Sequence, residues 1–462
     1  MNPRAQQQAT ATFTSSIKAK NAKYVWHPMT APKMSELDPP LIVASGSGVH
    51  VTDIDGKTYL DCTAGLWNVN VGHNRPEVNQ AIIDQLGRIA YYSTFAGTSN
   101  PPSIELSAKL VDLLQPENAA RVLFSSGGSD AAETSFKLAR QYWKLKGKPS
   151  KVKILSLKEA YHGVHFGGMS ACGINIYRLA YGPAMPDFHQ VESPILYRNP
   201  WTNDPLELAK ICARELEREI QYHGPDSVAA FIAEPVQGAG GVNVPPPNYW
   251  PLVREVCDRN DVLLISDEVV TGFGRTGTFL GCRGWGVKPD IMNFAKGLSS
   301  AYVPLGATVV NERVAEAWNS DSPYALIMHG YTYSGHPLAC AAGLASLDVV
   351  IREDLTANAA KQGAYFLNRL QQELMPFPSV GDVRGKGLMI CIEMVMDKKS
   401  KEPYPPGHPL PISINKHCKD NGVLVRSLNH KIILSPPLVF TKQDVDRAAD
   451  DLRAAFGELD RR

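Results

Sequence analysis

Residues 262–277 read "VLLISDEVVTGFGRTG", a short apolar run that ends on two acids and then breaks into glycines. A run of this kind bounded by turn residues is a strand buried on both faces, and such strands belong to parallel sheets covered by helices on either side. Asp267 stands at the carboxyl end of the run, where open parallel sheets bind their ligands. A carboxylate emerging there is costly unless a cation meets it. Strand alternation turns Glu268 the other way, where it reads as a brace for the following loop.

Working outward, apolar strands alternate with helical patterns from Arg121 onward. "RVLF" precedes a helix at about 129–146, "VKILSL" and an amphipathic helix near 206–222 follow, and "SVAAFIAE" leads to a helix near 248–260. This is the α/β class, with a mostly parallel sheet covered by helices on both faces. Upstream of it, a polar arm gives way at 41–61 to alternating residues that turn at Asp55-Gly56, the signature of a β-hairpin. Downstream, helical patterns at 337–351 and 355–375 give way after Ser379 to "LMICIEMV", "GVLVRSL", "KIILSPP" and a last helix after Thr441. The expected division is an N-terminal arm with strands at 1–75, a large domain at 76–345, and a small α/β domain at 346–462 that the N-terminal strands join. "PYPPGHPLP" at 403–411 reads as a surface loop.

The chain has 462 residues, too many for one core, since cores stop growing at roughly 250–300 residues. Acids and bases nearly cancel to a formal charge of +1, and no Lys/Arg block marks a nucleic-acid or membrane-surface partner. The eight cysteines contain no Cys-x-x-Cys pair and read as reduced, mostly buried thiols. "MNPRAQQQATATFTSS" lacks the apolar segment of a signal peptide, and no window approaches the ~18 apolar residues that span a bilayer. A cytoplasmic protein is expected.

Four stretches carry candidate chemistry. In "SSGGSDAAETSFKLAR" (125–140), Gly127 and Gly128 follow a strand and Ser129 and Asp130 open a helix, so backbone N–H groups would face an anion such as a phosphate. An ordinary glycine turn with a polar cap has the same appearance. Gly272, Gly274 and Gly277 formally match a dinucleotide fingerprint, with Asp290 in reach of a ribose, but "TGTFLGCRGWGVKPD" has no helical period behind them. In "YHGVHFGG" (161–168), Tyr161 offers a flat face to an aromatic ligand, whereas His162 and His165 lack a third ligand for a metal. In "MNFAKGLSS" (292–300), Lys296 has small neighbours, Ala295 and Gly297, that leave room for a ligand, and no charged residue follows until Glu312. An ammonium in an apolar site loses its proton more readily and becomes a nucleophile towards carbonyls, although a lysine at a strand end more often snorkels to the surface. Together, an anion cup, a strand-end carboxylate and such a lysine match pyridoxal phosphate, which needs a site for its phosphate, an acid at its ring nitrogen and an amine at its aldehyde.

"LLISDEVVTGFGRTG" followed by "PDIMNFAKGLSS" resembles the class III (ω-amino acid and amine:pyruvate type) aminotransferases of pyridoxal-phosphate fold type I. "DCTAGLWNVNVGH", "SSGGSDAAE", "EAYHG", "AEPVQGAGG", "HGYTYSGHPLACAAG" and "GDVRGKGLM" extend the resemblance from about Trp26 to the end of the chain. The resemblance implies a seven-stranded, aspartate-aminotransferase-like large domain, pyridoxal 5′-phosphate as cofactor, and transfer of an amino group from an ω-amino acid or amine to pyruvate or another 2-oxo acid. It makes Lys296 the Schiff-base lysine and Asp267 the partner of the ring nitrogen, with Tyr161 and Val269 against the ring faces, Gly128 and Ser129 at the phosphate, and His162 and Glu234 beside the cofactor. Trp67, Phe95, Tyr161 and Arg426 match substrate-pocket positions, Arg426 as a mobile arginine for substrate carboxylates. Thr332 matches a residue that reaches the partner subunit's phosphate, which implies a homodimer with shared sites, alone or as half of a tetramer. No metal is implied. An aminomutase or racemase on the same fold and a nicotinamide-dependent dehydrogenase at Gly272–Gly277 are the rival readings. One departure from the family's Ser-Gly-Ser pattern is Gly127, which takes a hydroxyl out of the phosphate cup.

Overall fold

The computed structural model describes residues 3–95 and 97–460. The N-terminal strands Val43–Ser47 (β1), His50–Asp53 (β2) and Thr58–Asp61 (β3) form an antiparallel meander. Gly56 takes the left-handed φ of 89° that the β2–β3 turn requires, and Asp53 braces the turn by accepting from the N–H groups of Asp55 and Lys57.

Seven strands make the central sheet: Ala119–Ser125 (β4), Lys153–Leu157 (β5), Phe188–Val191 (β6), Val228–Ala233 (β7), Leu263–Asp267 (β8), Ile291–Phe294 (β9) and Gly306–Asn311 (β10). Their order is β4-β10-β9-β8-β7-β5-β6, and β10 alone runs against its neighbours. Every residue of β7, β8 and β9 is buried, as the apolar runs require of strands covered on both sides. Alternation sorts their side chains. Ile154, Ala230, Leu263 and Ile265 pack under Phe136, Ala139 and Trp143 of the helix Gly128–Leu145, while Leu155, Phe231 and Leu264 meet Leu208 and Leu216 of the helix Pro205–His223 and Val253 of the helix Tyr249–Arg259.

The C-terminal part holds Val380–Gly385 (β11), Ile390–Asp397 (β12), Glu402–Pro403 (β13), Val423–Leu424 (β14), Arg426–Leu428 (β15) and Lys431–Leu434 (β16). The sheet β11-β12-β16-β15, with β13 beside β12, packs Val383, Ile390 and Ile392 against Phe366 and Leu370 of the helix Leu355–Leu374 and Leu452 and Phe456 of the helix Lys442–Leu459. β14 pairs in parallel with β3, so strands from the two ends of the chain share one sheet.

Several elements differ from the sequence reading. The polar arm is helical over Pro3–Tyr24, built from residues that favour helix without an apolar stripe. Helices at Pro76–Arg88 and Pro101–Leu113, which the reading passed over, each begin with proline at the first helical position, where no N–H is lost. For the same reason the proline-rich stretch 403–411 is only partly loop: Pro409 and Pro411 lie in the helix Pro409–Asp420, whose N–H at Leu410 is accepted by His408 Nδ1. Gly272, Gly274 and Gly277 open no helix. They lie in a turn-rich loop, and a Cβ on Gly274 or Gly277 would stand 3.0 Å from Thr356 or Ala360 of the helix Leu355–Leu374, so these glycines serve close packing rather than a dinucleotide. All eight cysteines are free and buried. Among the described residues no helix is long and apolar enough to cross a membrane.

Candidate active site

The carboxyl ends of β4, β5, β7, β8 and β9 open onto one cavity of about 440 Å³. Each strand delivers residues to it: Ser126–Ser129 after β4, Tyr161–Gly163 after β5, Glu234 after β7, Asp267 at the end of β8 and Lys296 after β9. Trp67 and Arg426 close the cavity from outside the central sheet. A parallel sheet brings these segments together because its strand ends lie side by side while the chain between them spans whole helices.

Lys296 does not snorkel. It is partly buried in the cavity wall with a left-handed φ of 43°, a conformation that costs a residue with a side chain roughly 1–3 kcal/mol and persists only where the surroundings impose it. Burial pushes its pKa below the usual lysine value, a shift opposed by the negative charges of Asp267 and Glu234 and reinforced by Arg426. Ala295 lines the cavity, as expected of a small neighbour, but Gly297 has another reason to be small. A Cβ there would stand 2.3 Å from Asn70 Nδ2, and Asn70 accepts from the fully buried Arg275 while donating to the Phe273 carbonyl.

Asp267 is 4 % exposed, and its carboxylate is held from two sides: Oδ2 accepts from His162 Nδ1 at 2.7 Å and Oδ1 from the Val269 N–H at 3.1 Å. His162 therefore braces Asp267, and its buried Nε2 has no hydrogen-bond partner among the described residues. Glu234 accepts from the N–H groups of Tyr161 and Gly238, and burial pushes its pKa up to about 7 against the pull of His162, with Asp267 adding to the rise. Glu268 turns away as alternation requires and braces the loop, accepting from Thr271 Oγ1 and from the N–H groups of Gly281 and Cys282.

The helix Gly128–Leu145 points its N-terminus at the cavity, and no side chain caps it. The Ser129 hydroxyl accepts from the Val164 N–H at 3.2 Å, which leaves its own proton free to donate. A Cβ on Gly128 would stand 2.9 Å from Val269, so glycine lets this turn and the residue after β8 close on each other. Gly127 has extended backbone, φ −177°, and open space where a side chain would go.

The Tyr161 ring lies 4.9 Å from that of Tyr177, and burial pushes the Tyr161 hydroxyl up to about 12. Tyr177 lines the cavity too. Sequence reasoning missed it because "GINIYRL" shows no pattern that sets this tyrosine apart from a packing residue. Arg426 is partly buried on the edge strand β15, has no carboxylate partner among the described residues, and is held below the usual arginine range by burial, with Tyr177 and Tyr161 opposing. Phe95 and Thr332 do not line the cavity within one chain. Phe95 is exposed and lies against Gly330, and Thr332 is exposed with its carbonyl accepting from the Tyr91 hydroxyl.

A partly buried amine, a braced carboxylate and an uncapped helix N-terminus around one cavity are a donor set that fits pyridoxal phosphate, and the volume lies within the range of cofactor pockets. The family model of the class III aminotransferases matches residues 32–456, and the chain belongs to that family of pyridoxal-phosphate-dependent transaminases. It is similar, at 51 % identity and a TM-score of 0.93, to the structure of an amine transaminase from an uncultivated Pseudomonas species in its PLP-bound form, with 94 % of this chain and 99 % of that one covered. It is 36 % identical to the putrescine–pyruvate aminotransferase of Pseudomonas aeruginosa, over 95 % of each chain. It is 37 % identical to the taurine–pyruvate aminotransferase of Bilophila wadsworthia, over 97 % of this chain and 98 % of the relative.

Proposed function

We propose that this transaminase takes its amino group from an ω-amino acid or an amine, of the β-alanine, taurine, polyamine or arylalkylamine kind, and passes it to pyruvate or a similar 2-oxo acid. The observation that carries this reading is Arg426, a guanidinium without a carboxylate partner among the described residues, at the wall of the cavity that also holds Lys296, beside the apolar surfaces of Trp67 and Tyr161. A guanidinium pairs with a carboxylate in a bidentate fork, and the aromatic wall takes a substrate that has none.

In this reading Lys296 would hold the cofactor's aldehyde carbon, Asp267 would serve its ring nitrogen, Gly128 and Ser129 its phosphate, Tyr161 and Val269 its ring, and Glu234 and His162 would support them from behind. When bound, pyridoxal phosphate supplies an aldehyde that takes up amines and a ring that accepts electrons from the carbon beside them. Lys296 Nζ, with its lowered pKa, would take up the proton that leaves the substrate carbon and give it back, as general base and then acid. Asp267, fixed by His162 Nδ1, keeps a proton on the ring nitrogen. Donor and acceptor use the cavity in turn, so ping-pong kinetics are expected.

Phe95 and Thr332 take up their roles from a second subunit in a homodimer with shared sites, and their exposure in the single chain is what such a role requires. The division at residues 75 and 345, the possible tetramer and a cytoplasmic location belong to the same proposal.

A panel of amino donors with pyruvate, read out as alanine formed, tests the function; the reading fails if no amine or ω-amino acid yields alanine while the holoenzyme still transfers the amino group of an ordinary α-amino acid. Two variants probe its parts. Arg426→Ala is expected to raise the KM for pyruvate about 10–100-fold, the loss of charge-assisted hydrogen bonds worth ~1.5–3 kcal/mol, while a carboxylate-free amine reacts as before; full activity towards pyruvate would sink the assignment. Gly127→Ser has room for its hydroxyl at the mouth of the helix and is expected to slow cofactor loss on dialysis about 10-fold, the effect of one added hydrogen bond to a charged group. Unchanged or faster loss would show that the phosphate does not sit there.

A further inference from the structure

β15 is a three-residue edge strand whose residues are all partly exposed, and little in it would hold Arg426 in place. Among the described residues it pairs only with β16, Arg426 opposite Ile433 and Leu428 opposite Lys431, through a turn at Asn429-His430. From the first residue of β16, Lys431 Nζ crosses to the carbonyl of Gly240 at 2.7 Å. Arg384 of β11 donates through Nε to the next carbonyl, Gly241, at 2.9 Å. The turn they grip lines the cavity at Ala239 and holds Glu234 through the Gly238 N–H at 2.8 Å.

One buried carboxylate stands between the two grips, paired with Arg384 and opposite Lys431 in the β12–β16 register. Glu393 of β12, 1 % exposed, pairs with Arg384 at 2.6 Å and with Arg198, and the ring of His430 in the β15–β16 turn stands 3.7 Å away. Burial works against charge on Glu393, but the hydrogen bond to His430 and the positive charges of Arg384, Lys431 and Arg198 hold it well below the usual carboxylate range. The His430 carbonyl also accepts from the Met394 N–H, beside Glu393 in β12. The hairpin that carries Arg426 and the turn that carries Ala239 are thereby fixed to the same point.

We propose that Lys431 and Arg384, with Glu393 between them, are positioning residues that set where Arg426 stands over the cavity and so decide how well carboxylate-bearing substrates are accepted. This rests on the reading of Arg426 as the carboxylate partner. Neither residue touches the cavity itself, so their effect is on the geometry of binding rather than on proton transfer.

The test uses holoenzyme and the variant Lys431→Met, which keeps the aliphatic stem and removes the donor. The KM for pyruvate is expected to rise about 5–10-fold with kcat within twofold, and the reaction of a carboxylate-free amine to stay within twofold. Lys431→Arg, which restores a donor, should recover most of the loss. In an Arg426→Ala background, Lys431→Met should add nothing to the pyruvate KM, because the residue it positions is gone. Equal losses towards both substrates, no change towards either, or full additivity in the double variant would overturn the proposal. Arg384→Lys gives a second reading of the same clamp and is expected to show the same split. If Arg426→Ala itself leaves the pyruvate KM unchanged, the carboxylate assignment falls and the clamp with it. If Arg426→Ala raises the KM and Lys431→Met does not, only the clamp falls.

Discussion

Lys296→Met is expected to lower kcat by more than ~10³-fold, because it removes the attachment of the aldehyde and the group that moves the proton together, and positioned general acid–base catalysis alone contributes roughly 10²–10⁴-fold. The protein should still fold, and without its cofactor it should unfold at a higher temperature than the wild-type chain stripped in the same way. Burial lowers the Lys296 pKa from its ordinary value of 10.5, so the folded state binds fewer protons than the unfolded state between the two pKa values. Stability of the cofactor-free wild type therefore rises with pH through that window, towards 10.5, and the methionine variant lacks this rise. Thermal unfolding against pH checks the second claim; the rate of alanine formation checks the first, together with the yellow absorption of pyridoxal phosphate joined to a lysine, which borohydride bleaches. A variant that kept the band and turned over would remove Lys296 from its role.

Asp267→Asn is the next largest effect, a loss of about 10²–10³-fold in kcat, on the scale of losing one preorganised electrostatic partner in a water-poor site. The amide oxygen can still accept from His162 Nδ1, so the variant should keep its fold and take up cofactor. Asp267→Ala adds a stability loss of ~1–3 kcal/mol, because His162, already without a partner at Nε2, would then be unpaired at Nδ1 as well. Chemical denaturation of both variants separates the two effects. If asparagine cost activity and stability in the same proportion as alanine, the carboxylate would be a structural brace and not the partner of the ring.

Much of the central sheet is legible along the chain because a strand covered on both faces must be apolar throughout, as "VLLIS" and "SVAAFIA" are, and because glycine, proline and polar caps mark where such strands end. The helices at 76–88 and 101–113 were not read, since each starts on prolines that look like loop. The glycines at 272, 274 and 277 give a false nucleotide signal for a related reason: spacing alone does not say whether a missing side chain admits a phosphate or close packing, against the Glu268 carbonyl for Gly272 and the helix Leu355–Leu374 for Gly274 and Gly277. Gly297 makes the same point within the site, where Asn70 rather than a cofactor occupies the room it leaves.

What the sequence determined by itself is the set of chemical groups and the ends of strands on which they stand: Asp267, Lys296, Tyr161 and the turn at Gly128-Ser129 are legible from a few neighbours, whereas Glu234 was named by the family resemblance. Only the tertiary structure decided that His162 belongs to Asp267 rather than to a metal, that Tyr177 joins the wall, that Phe95 and Thr332 lie off it within one chain, and that Lys431 and Arg384 tie the Arg426 hairpin to the Gly238–Gly241 turn. Those relations join residues more than a hundred positions apart, and burial, hydrogen-bond distance and the space left by a missing Cβ exist only once the strands lie side by side.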